Sequence, residues 1–180
     1  KKNIHEKDLP NCLISVPGEL TTANLLLKLF APEIKNKKYI SYDKIIPSIV
    51  SNETDCGVII HESRFLFDQL GLIEIKDLGK WWEDTTNSPI PLGAVVIRKD
   101  LKNSISDNFE KILLESISMA RQQPDIIMPY ISKHAQEMEI SILKRHIEAY
   151  VNDFSLNLGT YGQKAVSVLK EMARQNGIIP

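Results

Sequence analysis

The first hundred residues carry short apolar runs separated by turn residues, at intervals too brief for long helices. Cys12–Val16 predicts a strand, and Pro17-Gly18 turns the chain. Thr21 and Thr22 then offer N-cap hydroxyls to an apolar helix over Ala23–Phe30. Lys38–Tyr42 alternates in polarity and predicts a second strand. Asp43 is expected to cap a short helix through Val50, with Pro47 near its first turn. Asp55–Ile60 is apolar on both faces and predicts a buried parallel strand. Glu62–Leu70 predicts a helix closed by Gly71, and Leu72–Leu78 a fourth strand. A short helix over Gly79–Thr86 carries Trp81 and Trp82. The turn-rich segment Asn87–Pro91 leads to a fifth strand, Gly93–Arg98. Strands and helices in this rhythm imply an α/β fold with a parallel sheet covered on both faces.

After Asp100 the strand signals vanish. Ser104–Gln123 has the 3.6-residue apolar period, and Pro124 ends it and starts another short helix. Ile140–Val151 and Tyr161–Asn176 predict two more helices, with Gly177 as a stop. Asn152-Asp153-Phe154-Ser155 interrupts this half and supplies a cap for the next turn. The two halves are unlike: a βαβ lobe, then helices with apolar faces and no sheet of their own to cover.

The 180 residues suit one domain or two small lobes. A hydrophobic content of 43% and a charged content of 25% permit an ordinary core, which excludes a disordered chain. The net charge of -1 provides no global field for nucleic acid or an anionic membrane. Lys35, Lys37 and Lys38 read as a solvated turn. No apolar run approaches the roughly 20 residues that span a bilayer, and no signal peptide is visible. Cys12 and Cys56 lie in apolar runs without metal-ligand spacing and read as small buried hydrophobes, which best suits a reduced, cytoplasmic setting, although the two could pair in an oxidising compartment.

Three segments carry candidate chemistry. The turn Pro17–Ala23 opens a helix, and helix N-termini present N–H groups and partial positive charge to carboxylate or phosphate. Thr21 and Thr22 add hydroxyls, but the GxxxxGK[ST] phosphate loop is absent, and an ordinary N-cap is the simpler reading. His61 stands at the end of a buried strand, where α/β sheets gather ligands, and could serve as a general base or cap the next helix. Glu62 or Arg64 could orient it or hold an anion. A zincin is excluded because no second histidine follows at HExxH spacing, and a serine hydrolase because Ser63 lacks the GxSxG elbow. Trp81 and Trp82 could wall an aromatic ligand or pack the lobe. His134 and His146 read as solvated helix residues.

Taken in order, these segments resemble the 1,4-dihydroxy-6-naphthoate synthase family of the futalosine route to menaquinone. The matching residues are Pro17-Gly18 with Thr21-Thr22-Ala23, Tyr42-Asp43 with Ile46-Pro47, and Gly57–Phe65 with its Ile60-His61-Glu62-Ser63-Arg64 run. Phe67 ahead of Gly71-Leu72, Asp77-Leu78-Gly79 with Trp81-Trp82-Glu83, Pro89–Gly93, and Tyr150-Val151-Asn152 with Phe154-Ser155-Leu156 complete the set. The resemblance implies a type II periplasmic-binding-protein-like fold of two lobes. Residues 1–92 would form the parallel-sheet lobe, and 93–180 the return strand and helices of the other lobe. That other lobe's sheet would come from roughly 85 residues ahead of this chain, a domain-sized addition.

The resemblance further implies a lyase that needs no cofactor or metal and acts on a small molecule, as a monomer or homodimer. Cyclic dehypoxanthine futalosine would be cleaved to 1,4-dihydroxy-6-naphthoate and a sugar-derived product. His61 would be the proton acceptor, with Thr22, Ala23, Thr21 and Arg64 binding substrate. Two rivals share the architecture: a solute-binding protein without chemistry, and a chorismate dehydratase. The histidine in the Ile60–Arg64 run argues against the second by resemblance.

Overall fold

The computed structural model describes residues 4–60, 67–135 and 139–180. Its contacts divide the chain into two compact units, Lys1–Pro91 with Thr160–Pro180, and Leu92–Gly159.

Among the described residues, the first unit is built on three parallel strands. β1 (Ile14–Val16) is central, with β2 (Lys37–Tyr39) on one side and β3 (Cys56–Gly57) on the other. Ile14 pairs with Lys37 and with Cys56, and Ser15 with Lys38 and with Gly57. Helix α1 (Thr22–Phe30) links β1 to β2, and α2 (Ile45–Val50) links β2 to β3. The first crossover moves one way across the sheet and the second moves back. Right-handed crossovers therefore place α1 and α2 on opposite faces. Side-chain alternation along β1 agrees. Ile14 and Val16 pack with Leu27 of α1, and Ser15 meets Ser48 of α2.

The α1 face holds the main core: Leu9, Cys12, Ile14, Val16, Leu27, Ala31, Ile34 and Cys56. The α2 face is sealed by hydroxyls. Ser48 Oγ donates to Ile45 O at 2.7 Å and lies 2.9 Å from Thr54 Oγ1, and Ser15 Oγ donates to Cys56 O at 3.1 Å. Ser15, Ser48 and Thr54 are all buried, and each buried hydroxyl thus has a partner.

A second apolar cluster joins α1 to α3 (Leu78–Thr86) and α8 (Gly159–Gln175). Trp82 is wholly buried at its centre with Leu26 and Leu29, and Val168, Leu169 and Met172 of α8 close over it. Trp82 Nε1 donates to Pro89 O at 3.2 Å, which ties the proline-rich segment to α3. Trp81 meets Phe30 edge-on, with centroids 5.4 Å apart. The tryptophan pair is therefore packing. The apolar period predicts α8, but the helix expected to join 93–159 in the other lobe packs instead on α1 and α3 of the first unit, because its apolar stripe fits the Trp82 cluster.

The second unit is helical: α4 (Asn103–Gln122), α5 (Pro124–His134), α6 (Ile140–Tyr150) and α7 (Asp153–Leu156). Asn152 caps α7 by accepting from Phe154 N at 3.0 Å, and Asp153 accepts from Arg121 of α4 at 2.9 Å. His134 is exposed, whereas His146 is half-buried against Tyr150, centroids 4.5 Å apart, rather than solvated.

Several expected elements are shorter or differ. Of Asp55–Ile60, Cys56–Gly57 forms the strand, and residues 58–60 leave the sheet after Val58 N donates to Ser15 O at 2.9 Å. Residues 72–77 are not a strand. Glu74 is exposed, Lys76 pairs with Glu6 at 3.5 Å, and Asp77 is drawn off as the N-cap of α3, accepting from Gly79 N at 2.7 Å and Lys80 N at 3.0 Å. Gly93–Arg98 is not a strand either. Its β-branched residues are exposed, Val96 by 86%, and β-propensity produces a strand only where a partner strand and a surface to pack on exist.

Asp43 does not cap α2. It lies in a 3-10 turn, Tyr42–Lys44, and accepts from the Ser41 hydroxyl. Lys37 and Lys38 belong to the edge strand β2, where lysines discourage further strand pairing, and Lys38 is ion-paired with Glu53. Burial, then the nearby charge of Lys28, lowers the Lys37 pKa. The expected helix Glu62–Leu70 falls partly outside the described residues, and its last four residues, Phe67–Leu70, form a 3-10 turn. Gly71 follows with φ +71°, its N–H donating to Asp68 O at 3.0 Å.

Candidate active site

Because β1 and β3 are parallel neighbours, the chain leaves both at the same edge of the sheet. From β1 it passes into Pro17–Thr21 and α1. From β3 it passes through Val58, Ile59 and Ile60 toward His61. The strand order β2-β1-β3 reverses direction at β1, so this edge is a topological switch point, where open α/β sheets leave a crevice outside the strand ends.

The turn into α1 is closely defined. Thr21 is the N-cap, with Oγ1 accepting from Asn24 N at 3.2 Å and donating to Gly18 O at 2.8 Å. Gly18 leaves room for this arrangement, since a Cβ there would sit 3.0 Å from Thr21 Cγ2. Thr21 and Thr22 are half-buried and Ala23 is buried. The first turn of α1 contains no acidic residue, so the partial positive charge of its N-terminus is not offset there. An anion or a hydroxyl-rich group meets favourable electrostatics at this point.

The structure thus places Thr21, Thr22 and Ala23 together at the switch-point edge. His61 and Arg64 lie outside the described residues. Sequence reasoning missed Asn24, which is wholly buried on α1 and donates through Nδ2 to Glu19 O at 2.7 Å. A signal was present: Asn24 occupies a core-facing position in a helix whose other buried residues are Ala23, Leu26, Leu27 and Leu29. Among the described residues no group of three or more His, Cys, Asp or Glu is placed to hold a metal ion, and no helix is long and apolar enough to cross a membrane.

The chain is similar to proteins of known name. It is 38% identical over 165 residues to the 1,4-dihydroxy-6-naphthoate synthase of Thermus thermophilus, covering 92% of this chain and 60% of that protein. It is 33% identical over 180 residues to the same-named enzyme of Streptomyces coelicolor, covering 97% of this chain and 64% of the relative. The chain therefore spans less than two thirds of the length of these relatives. A crystal structure of an Archaeoglobus fulgidus protein superposes with a TM-score of 0.90 at 36% identity, over 96% of this chain and 65% of that one. A family model described as menaquinone biosynthesis matches residues 1–175, so the chain belongs to the menaquinone biosynthesis family.

Proposed function

We propose that the complete protein is a cofactor-free carbon–carbon lyase that converts cyclic dehypoxanthine futalosine to 1,4-dihydroxy-6-naphthoate and a sugar-derived product. The observation that carries this reading is the shared exit of β1 and β3. It sends the α1 N-terminal turn and the segment leading to His61 to one edge of one sheet. Both named relatives are called synthases of that naphthoate.

In this reading His61 takes a proton from the sugar-derived ring, and aromatisation drives the carbon–carbon cleavage. General-base catalysis of this kind contributes about 10²–10⁴-fold. Thr22 and Ala23, with Thr21 behind them, hold a hydroxyl or anionic group at the helix N-terminus, and Arg64 adds a cationic contact. The partner is a small molecule, the setting is cytoplasmic, and the assembly is a monomer or homodimer.

The complete protein is read as a two-lobed, type II periplasmic-binding-protein-like fold. Residues 1–91 with the C-terminal stretch 160–180 contribute one lobe, and 92–159 the helices of the other, whose sheet comes from a segment of the longer protein. Two observations support this. More than a third of the length of each named relative lies outside the match. Residues 92–159 also leave Val96, Ile112, Met119, Ile126 and Tyr130 more than 60% exposed. Apolar exposure on that scale is expected of surfaces awaiting a partner layer.

The test is incubation of the complete gene product with cyclic dehypoxanthine futalosine, followed by chromatography and mass spectrometry for 1,4-dihydroxy-6-naphthoate. Stoichiometric product without added metal or cofactor is expected. A folded protein that binds the substrate and leaves it intact would instead be a solute-binding protein.

A further inference from the structure

The turn that opens α1 gains little from burying its own side chains. Glu19 is exposed and Leu20 is 100% exposed. Its shape rests on hydrogen bonds from below. Thr21 Oγ1 donates to Gly18 O at 2.8 Å, and Asn24 Nδ2 donates to Glu19 O at 2.7 Å. The chemistry fixes how the Asn24 amide lies. A peptide carbonyl can only accept, so the atom facing it is the nitrogen.

That orientation leaves Asn24 Oδ1 buried and without a hydrogen-bond partner among the described residues. A buried acceptor in that state opposes stability, and an apolar residue at 24 would match the rest of the inward face of α1. A polar side chain kept at a cost in the core, directly beneath a turn that faces the ligand edge, is the pattern expected where geometry matters more than stability.

We propose that Asn24 is a positioning residue for the substrate. Its buried carboxamide clamps the Glu19 carbonyl and so holds the turn that carries Thr21 and Thr22 in its binding geometry. This deepens the lyase reading and rests on it. Asn24 touches the turn and not the reacting atoms, so its loss acts on binding. A group that contributes equally to ground-state and transition-state binding changes KM and leaves kcat nearly untouched.

The experiment is steady-state kinetics of the complete gene product and its Asn24→Leu variant on cyclic dehypoxanthine futalosine, with thermal melts of both. A KM increase of about tenfold or more is expected, with kcat within about threefold and a melting temperature equal to or above that of the wild type. An unchanged KM overturns the proposal. So does a parallel fall of kcat and melting temperature, which would make Asn24 structural only. If Asn24→Leu fails to fold, Asn24→Ser takes its place, keeping a short donor with room for a bridging water, and a smaller rise in KM alone is expected. An inactive wild type overturns the lyase reading and this inference together, whereas an active wild type with an unaffected variant overturns this inference alone.

Discussion

Ser15 of β1 stands opposite Gly57 of β3, and a Cβ at position 57 would lie 2.7 Å from Ser15 Oγ. It would also lie 2.5 Å from Ile45 Cγ2 and 2.9 Å from Ile49 Cδ1 of α2. Gly57 is thus where strand, helix and hydroxyl network meet, three residues before Ile60.

A methyl group at this position must displace packed side chains. Gly57→Ala is expected to destabilise the protein by about 1–3 kcal/mol, the usual cost of overpacking, as measured by urea denaturation. A midpoint equal to that of wild type would show that α2 moves aside freely.

Thr21 caps α1 with its hydroxyl. Thr21→Ala is expected to cost about 0.5–2 kcal/mol, whereas Thr21→Ser, which keeps the acceptor, stays close to wild type. Equal losses in both variants would mean that the methyl group, not the cap, matters.

Trp82 is wholly buried and gives its indole N–H to Pro89 O. Trp82→Phe leaves that carbonyl unmet at a cost of about 1–3 kcal/mol. Trp82→Ala is expected to cost about 3–5 kcal/mol, because it also opens a cavity between α1, α3 and α8. Fluorescence quenching by iodide should reach the half-buried Trp81 and spare Trp82.

Cys12 and Cys56 are both free and buried in the same cluster. Burial, then the neighbouring Cys12, pushes the Cys56 thiol up to about 11 from 9.0. The native state therefore keeps this proton between those values while the unfolded chain loses it, so stability is full below pH 9 and declines as pH rises toward 11. Native Cys56 should resist alkylation at pH 8 and react after denaturation. Rapid native labelling at that pH would contradict the burial seen here.

The parallel arrangement was legible because β1 and the helix behind it carry local signals that agree: an apolar run, Pro17-Gly18, then a capping Thr21. The same holds for Asn152 and Pro124, whose effects act within one turn of chain. The strand signals at 72–78 and 93–98 misled for one reason. A strand is completed by a neighbour, and a run such as Val95-Val96-Ile97 says only that it would suit a sheet. Asp43 misled because the Ser41 hydroxyl reached its carboxylate first. The helix-opening turn at Thr21–Ala23 could be read from the sequence, whereas the buried Asn24 was hidden by its place within a run that reads as plain helix. The expectations at His61 and Arg64 concern residues outside those described.

In the proposed reaction His61 is the base and the α1 turn the binding element. The most direct measurement compares turnover of cyclic dehypoxanthine futalosine by the complete wild-type protein and its His61→Ala variant, together with the affinity of each for 1,4-dihydroxy-6-naphthoate. The variant is expected to lose about 10²–10⁴-fold in kcat while binding the product within a few-fold of wild type. Near-normal turnover by His61→Ala would mean that His61 is not the base.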